Sequence, residues 1–181
     1  METPYQIFSV LRPEKRLVAE ALKGKEFETV LEVGTQWGEI LKGVKDQFSE
    51  ANVIGVDVDK PVVEEAAKVT GLDLRVGNLF DLQFEDKSFD VVCAEALFVM
   101  LPPGQIESGV DEMLRVAKKY LILIELEIPE FTGYAPGGRT GANWEKIFEK
   151  RGLHASVERI PKEAWNAEPW MSSGAIITVE L

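Results

Sequence analysis

The chain has 181 residues, of which 31 are acidic and 20 are basic, so its formal charge is −11 at pH 7. With 45% hydrophobic and 28% charged residues it has the composition of a folded globular protein, and its length predicts one domain over residues 1–181. The negative charge argues against a general nucleic-acid-binding surface, because that affinity comes from neutralising phosphates. We expect no membrane span and no signal peptide, and the single cysteine predicts a reducing, cytoplasmic setting.

The first two thirds of the chain alternate between short β-branched runs and segments whose apolar residues recur with helical spacing. The β-branched runs predict five strands, at 29–33, 53–56, 72–76, 89–93 and 120–124. The helical spacing predicts four helices, at 13–23, 40–48, 61–70 and 106–117, with Lys118 and Lys119 at the C-terminal end of the last. Such alternation is typical of a doubly wound α/β sheet with parallel strands and helices on both faces.

The last third of the chain has a different pattern. Residues 133–141 contain four glycines and a proline, which predicts a loop, and Asn143 is a candidate N-cap for a following helix. Strands are expected at 153–160 and 175–179, and the prolines between them leave no good helical pattern. Two strands joined without a helix should pair antiparallel, so we expect a seven-stranded, mostly parallel sheet with an antiparallel last strand.

The residues that follow the first two strands carry the strongest functional signal. Gly34 ends the first strand, where a glycine lets the backbone turn sharply and lets a ligand approach closely. Asp57 ends the second strand, where a carboxylate can accept both hydroxyls of a ribose, and the separation of about 20 positions is that of a nucleoside-binding βαβ unit. The structural alternative is a plain turn glycine and, at Asp57, a cap for the helix that starts near Pro61.

Two details indicate which nucleoside this segment would bind. A dinucleotide site has a Gly-x-Gly-x-x-Gly run whose amides hold a pyrophosphate, whereas Gln36 stands here in place of the middle glycine. Glu32, two residues before Gly34, would repel a pyrophosphate and would help to hold an ammonium group. The segment therefore favours a nucleoside that carries a cationic amino acid.

With these features the chain resembles the class I S-adenosylmethionine-dependent methyltransferases, in the family's motif order from Val30 to the last strand. The resemblance implies a Rossmann-like methyltransferase fold and S-adenosylmethionine as the cofactor. It assigns the glycine turn to the methionine part of the cofactor and the acid at the end of the second strand to the ribose. The apolar residue after that acid, and the segment after the third strand, are assigned to the adenine. The expected cofactor-binding residues are Glu32, Gly34, Gln36, Gly38, Asp57, Val58, Asn78, Leu79 and Ala94.

This sequence departs from the family pattern at two of these positions. Gln36 replaces the usual middle glycine, so the turn would sit differently over the methionine end. Asn78 replaces the usual aspartate, and its amide oxygen would accept the adenine amino proton more weakly than a carboxylate does.

Glu95, which follows the fourth strand, is the candidate catalytic residue. It could take a proton from an acceptor, bind the ammonium group of the cofactor, or cap the next turn, and the sequence leaves these three roles open. Neither His154 nor Cys93 lies in a cluster with metal-ligand spacing, so no metal is expected.

The loops that leave the carboxyl ends of the strands are expected to form the acceptor site. Their aromatic residues could face a substrate, and their glutamates favour an amine or another cation, since aromatic faces and carboxylates both attract cations. The candidate substrate-binding residues are Phe98, Tyr134, Trp165 and Trp170. On this interpretation residues 1–28 form an N-terminal segment and helix, 29–125 a cofactor-binding half, and 126–181 the substrate side.

Three functions remain in competition at this point. The first is methyl transfer from S-adenosylmethionine to a small acceptor. The second is a non-catalytic module of the same fold that holds the cofactor or a partner chain. The third is a small nicotinamide-dependent oxidoreductase, which would need a pyrophosphate-tolerant glycine loop and a catalytic Tyr/Lys or Ser set that we do not find. The sequence indicates no oligomeric state.

Overall fold

The structure is a computed structural model that describes residues 12–130, 132–134, 138–165 and 167–181. Residues 1–11 of the predicted N-terminal segment, and 135–137 of the predicted loop, lie outside the described residues. In the described part, the strands are β1 Thr29–Val33, β2 Asn52–Asp57, β3 Asp73–Val76, β4 Phe89–Glu95, β5 Ala117–Leu126, β6 Gly133–Tyr134, β7 Thr140–Gly141, β8 Ala155–Arg159 and β9 Gly174–Glu180.

Helices connect most of these strands. The α-helices are α1 Leu17–Ala21, α2 Glu39–Gln47, α3 Lys60–Thr70, α4 Ile106–Val116, α5 Trp144–Glu149 and α6 Trp170–Ser173. Short 3₁₀ helices cover Pro13–Arg16, Phe98–Met100 and Pro103–Gln105.

Seven of the strands form one sheet in the order β3-β2-β1-β4-β5-β9-β8. The pairs from β3 to β5 are parallel, whereas β9 runs antiparallel to both β5 and β8. The predicted seven-stranded, mostly parallel sheet with an antiparallel last strand is confirmed. The strand order reverses between β1 and β4, which is where open α/β sheets bind their ligands, beyond the carboxyl ends of the strands.

The two faces of this sheet are both covered, as the continuous apolar character of β1 and β4 predicts. Side chains alternate along β4, so Val91 and Cys93 enter one buried cluster while Val92 and Ala94 enter the other. Each fully buried aliphatic side chain contributes roughly 1.5–3 kcal/mol to folding. The carboxyl end of β4 is therefore anchored in the middle of the core, and the residues that follow it start from a fixed position.

Three local predictions need correction. Lys118 and Lys119 belong to β5 and not to a helix end, because Ala117 pairs at once with Phe89, and Lys119 lies 3.3 Å from Asp90. The glycine-rich segment 133–141 is not all loop, since β6 and β7 pair antiparallel across it. A single helical turn, α6, separates β8 from β9 where no helix was expected, because Trp170 is buried there.

Candidate active site

A strained turn joins β1 to α2 at the carboxyl edge of the sheet. Gly34, Gln36 and Gly38 all have positive φ angles, of 81°, 46° and 74°. The amides of Gly34 and Thr35 both donate to the carbonyl of Val56, which ties the turn to β2. The backbone conformation favours glycine at position 34, and a Cβ there would lie 3.0 Å from Leu97 Cδ1, so a larger residue would also have to displace that side chain. Left-handed residues other than glycine cluster at functional sites, and Gln36 fits that pattern.

The first acidic group of the site is Glu32, the fourth residue of β1. Its side chain is buried, and its Oε2 accepts a hydrogen bond of 2.7 Å from Thr35 Oγ1. Burial raises the pKa of Glu32 to about 8, although the Thr35 hydrogen bond and the charge of Lys15 oppose the shift. In this environment a nearby cation would favour the ionised form of Glu32.

The second acidic group is Glu95, at the end of β4. Its side chain is 2% exposed, and its Oε1 lies 2.6 Å from Lys15 Nζ in the 3₁₀ helix Pro13–Arg16. Among the described residues, Glu95 Oε2 is a buried oxygen without a hydrogen-bond partner. Burial raises the pKa of Glu95, and Lys15 opposes that shift. A buried carboxylate oxygen without a donor is costly, which indicates that this oxygen is built to receive one.

A cavity of about 180 Å³ lies between these groups and the glycine turn. That volume corresponds to about six water molecules, enough for the amino-acid end of a ligand. Its walls include Lys15, Glu32, Gly34, Gln36, Glu95 and Trp165. Five of the residues predicted from the sequence, Glu32, Gly34, Gln36, Glu95 and Trp165, therefore meet at one cavity.

Asp57 lies on the other side of the glycine turn. Its Oδ2 accepts from the Gln36 amide at 2.9 Å, and its Oδ1 accepts from the Asp59 amide at 3.0 Å. The helix cap of α3 is Asp59, whose side chain accepts from the Val62 amide, so the alternative that Asp57 caps this helix is wrong. Two backbone donors thus hold the half-buried Asp57 carboxylate in one orientation at the tip of β2.

An open groove continues from the tips of β2 and β3. Val58, which is 68% exposed, and Asn78 both line it. Asn78 Oδ1 already accepts a hydrogen bond of 3.0 Å from the Phe80 amide. Two of the predicted adenine contacts, Val58 and Asn78, therefore meet at this groove, and its walls are far more exposed than those of the cavity at Glu95.

Three predicted cofactor residues lie away from both spaces. Gly38 is the N-cap that precedes α2, and a Cβ there would lie 2.9 Å from Leu72 Cδ1. Ala94 is fully buried within β4, and the cavity wall at that point is Ala96, whose φ is 53°. The Leu79 side chain is buried in the core.

Of the four residues predicted to bind the acceptor, one lines the cavity and three do not. Trp165 lines the cavity, and its ring stacks on Trp170 at 3.9 Å between centroids and 8° between planes. Trp170 itself is buried beneath it, and Phe98 is a core residue in edge contact with Trp144, so neither side chain faces the cavity. Tyr134 is exposed on β6 and does not line it.

Sequence reasoning missed Lys15, Thr35 and the role of Glu125. Thr35 lies inside the recognised motif and could have been found there, whereas nothing in the sequence relates Lys15 to a residue 80 positions later. Glu125, at the end of β5, is fully buried, and burial raises its pKa to about 8. Its carboxylate accepts from three successive amides, those of residues 97–99, and so fixes the loop after β4. That engagement removes Glu125 from the acids that could attract a cationic acceptor.

The described residues contain neither a membrane-spanning helix nor a cluster of metal ligands. No helix in those residues is long and apolar enough to cross a membrane. In the same part of the chain, no three His, Cys, Asp or Glu side chains are grouped as a metal ion would require.

Comparison with known proteins places this geometry in context. The family model described as a methyltransferase domain matches residues 30–120. An uncharacterised protein of Haemophilus influenzae is 28% identical over an alignment of 145 positions, which covers 75% of this chain and 54% of that protein. The chain thus spans about half the length of this curated relative.

Two solved structures show the same fold. A SAM-dependent methyltransferase from Aquifex aeolicus is similar with a TM-score of 0.64 at 23% identity, covering 98% of this chain and 92% of that one. Magnesium protoporphyrin IX methyltransferase from Synechocystis PCC 6803, solved with bound SAH, is similar with a TM-score of 0.65 at 16% identity, covering 97% and 82%.

Proposed function

The chain belongs to the methyltransferase domain family, and from this premise we propose that it transfers a methyl group from S-adenosylmethionine to a small acceptor. The proposal places the methionine end of the cofactor in the cavity at Glu95 and the adenosine end along the open groove. The similarity to a methyltransferase solved with bound SAH supports this choice of cofactor.

The observation that carries the proposal is the buried Glu95 Oε2, which lacks a hydrogen-bond partner among the described residues. It lines the same cavity as the Glu32 carboxylate and the glycine turn. An ammonium group is the donor that two carboxylates on one cavity favour most. Of the three roles left open for Glu95, we therefore assign it the binding of the cofactor's ammonium group, and the residues present fit that group.

The adenosine end would be held by Asp57 and its neighbours. Each oxygen of the Asp57 carboxylate accepts one backbone amide and keeps acceptor capacity for a ribose hydroxyl. Val58 offers an exposed apolar surface for the adenine ring beside Asn78. This arrangement supports a nucleoside, and the acidic cavity next to it argues against the pyrophosphate that a nicotinamide cofactor would bring.

Methyl transfer asks the protein mainly for alignment and exclusion of water. When bound, S-adenosylmethionine supplies an activated methyl group on a sulfonium that is itself a good leaving group. The chain would hold the amino-acid end with Glu32 and Glu95, and Trp165 would cover the cavity with a flat apolar face. We expect the acceptor to enter beside Trp165, at the side of the cavity that faces the loops after β8.

Calorimetric titration with S-adenosylhomocysteine tests the binding part of this proposal. Asp57→Ala should weaken binding by about 2–4 kcal/mol, because two charge-assisted hydrogen bonds to the ribose are lost. Asp46→Ala, an exposed aspartate of α2, is the matched control and should leave the affinity unchanged. An unchanged affinity in a folded Asp57→Ala protein would refute the assignment of the ribose site.

Transfer from methyl-labelled S-adenosylmethionine into a cell extract tests the catalytic part. We expect the label in the low-molecular-weight fraction, and much less of it when Glu95→Gln replaces the wild-type chain, because one of the two carboxylates that hold the cofactor's ammonium group is lost. Label in the macromolecular fraction would overturn the small acceptor. Tight cofactor binding without any label would instead favour a non-catalytic module of the same fold.

A further inference from the structure

Glu125, the fully buried glutamate near the end of β5, is a titratable group that the proposed function does not use. Its Oε1 accepts hydrogen bonds from the first two amides of residues 97–99, at 2.7 and 2.9 Å, and its Oε2 accepts one from the third, at 3.2 Å. The amide before them, that of Ala96, donates to the carbonyl of Ile124 at 3.0 Å. Two neighbouring residues of β5 therefore bind four successive amides after β4.

The choice of a distant glutamate for these amides is unusual. Glu125 is fully buried, and no lysine or arginine among the described residues forms an ion pair with it, so its burial is unfavourable. A serine or aspartate at Leu97, the residue before the 3₁₀ helix Phe98–Met100, would cap that helix locally. A local cap would fix only the shape of the helix, whereas an acceptor on β5 also fixes its position relative to the sheet.

The segment that Glu125 holds, residues 96–99, begins on the wall of the cavity. Ala96 lines that wall with a φ of 53°, in the left-handed region that residues with a side chain rarely adopt. Such a conformation persists only where the surrounding contacts determine it, and it is found most often at active sites and ligand sites. The amide hydrogen bonds to β5 are contacts of that kind.

Leu97 connects the same segment to the glycine turn. A Cβ built on Gly34 would lie 3.0 Å from Leu97 Cδ1, so this half-buried side chain lies directly against the turn. Ala96 also shares the cavity wall with Trp165, beside which we expect the acceptor to enter. The backbone that Glu125 binds thus reaches both the proposed cofactor site and the proposed entry of the acceptor.

We propose that Glu125 is a positioning residue for methyl transfer: it holds residues 96–99 in the conformation that aligns an entering acceptor with the activated methyl group. The inference rests on the proposed function and adds a residue to it. Glu125 does not line the cavity, so its effect passes through the backbone of the segment. Because a small displacement of reacting groups lowers the rate strongly, loss of Glu125 should slow transfer more than it weakens cofactor binding.

Amide hydrogen exchange of the free protein measures how firmly Glu125 holds the segment. Glu125→Met removes both acceptor oxygens, so exchange at residues 97–99 should become at least about 10-fold faster while the amides of β1 and β4 stay protected. Glu125→Gln keeps one acceptor oxygen and should give a smaller increase. Glu127→Gln is the matched control, because this buried glutamate binds the Trp144 amide instead and should leave exchange at residues 97–99 unchanged.

Transfer and binding rates then separate positioning from folding. With saturating methyl-labelled S-adenosylmethionine and cell extract as the acceptor source, Glu125→Gln should transfer label at least about 10-fold more slowly per folded molecule. Its affinity for S-adenosylhomocysteine should fall by no more than about three-fold. Glu127→Gln should keep the wild-type values of both quantities.

A second variant keeps the test decisive if the Glu125 variants do not fold. Leu97→Ala leaves the carboxyl group and its three amides in place but removes the contact with the glycine turn. It should slow transfer while residues 97–99 stay protected from exchange.

Several results would overturn the inference: unchanged exchange at residues 97–99 in Glu125→Met, wild-type transfer by Glu125→Gln or by Leu97→Ala, or an equal loss of transfer in Glu127→Gln. If the wild-type chain neither binds S-adenosylhomocysteine nor transfers label, the proposed function fails and this inference fails with it. If the wild-type chain transfers label and the Glu125 variants do so equally well, the proposed function stands and only this inference fails.

Discussion

The two spaces that we propose for the ligand are built in opposite ways. At the proposed methionine end, two carboxylates and a lysine surround a small cavity, and the Glu95 side chain is almost fully buried. At the proposed adenine end, Val58 and Asn78 line an open groove near the surface. Burial strengthens each electrostatic contact, so we infer that affinity and selectivity arise mainly at the methionine end. The adenine end would contribute shape and apolar contact.

The largest expected effect comes from breaking the turn that separates the two ends. Gly34→Val should reduce S-adenosylhomocysteine binding beyond measurement, because the side chain would press on Leu97 and would occupy the ligand's path. Gly24→Val shares the positive φ but has no atom within 4 Å of the added Cβ, so it carries the backbone strain without the contact. Calorimetric titration of both variants with S-adenosylhomocysteine separates these two effects. Equal affinities of the two variants would show that Gly34 matters only for folding.

The next prediction concerns the stacked pair Trp165 and Trp170, of which Trp165 lines the cavity. Trp170→Ala removes the buried ring beneath Trp165, and we expect a loss of about 3–5 kcal/mol in the free energy of unfolding. The fraction that stays folded should keep normal affinity for S-adenosylhomocysteine, since Trp170 does not line the cavity. Denaturant unfolding and calorimetry on one preparation give both quantities. A stable Trp170→Ala protein with lost activity would return this residue to the acceptor site.

A smaller effect is expected on the pH dependence of ligand affinity, which should differ between the two proposed ends of the site. Burial raises the pKa of Glu32 to about 8 with a smaller contribution from the charge of Glu95, and against the opposing Thr35 hydrogen bond and Lys15 charge. A ligand ammonium group favours the carboxylate, so binding below pH 8 releases a proton, and affinity should rise with pH. The rise should approach tenfold between pH 6 and pH 7, because one pKa unit is worth about 1.36 kcal/mol.

The control for this pH dependence is Glu32→Gln, which should flatten most of the rise. 5′-Methylthioadenosine, which lacks the ammonium group, should show no such dependence in the wild-type protein. A flat profile for S-adenosylhomocysteine would mean that its ammonium group does not lie near Glu32.

The smallest effect belongs to the adenine end. Asn78→Asp should keep S-adenosylhomocysteine affinity or raise it a few-fold, because a carboxylate accepts the adenine amino proton more strongly than an amide oxygen. The exposed position of Asn78 limits the gain, and its turn with the Phe80 amide is retained by aspartate. Weaker binding would show that the Asn78 side chain donates to the ligand or faces away from it.

The sheet could be predicted from the sequence because the signals for each strand lie within a few neighbouring residues. Continuous apolar runs at β1 and β4, and glycines or acids at their ends, are visible within a few residues. The prolines between β8 and β9 likewise predicted an antiparallel pair. For the same reason, the position of Gly34, Asp57 and Glu95 at the carboxyl edge of the sheet could be predicted from the residues next to them.

What the sequence could not predict depends on contacts between distant residues. Lys15 reaches Glu95, and Glu125 binds the amides of residues 97–99, only after the sheet has formed. The sequence around a loop aromatic residue also does not show whether its side chain faces the core or a ligand. Phe98 and Trp170 were therefore predicted to contact the substrate, although both are buried. Trp165, with nearly the same sequence environment as Trp170, is the one on the cavity wall.

The most direct test of the account is a crystal structure of this chain with S-adenosylhomocysteine bound. The account predicts the ligand's amino nitrogen within hydrogen-bond distance, about 2.7–3.2 Å, of Glu95 Oε2, with Lys15 still paired to Oε1. A bound ligand whose amino group points away from Glu95, with Oε2 still lacking a donor, would contradict it.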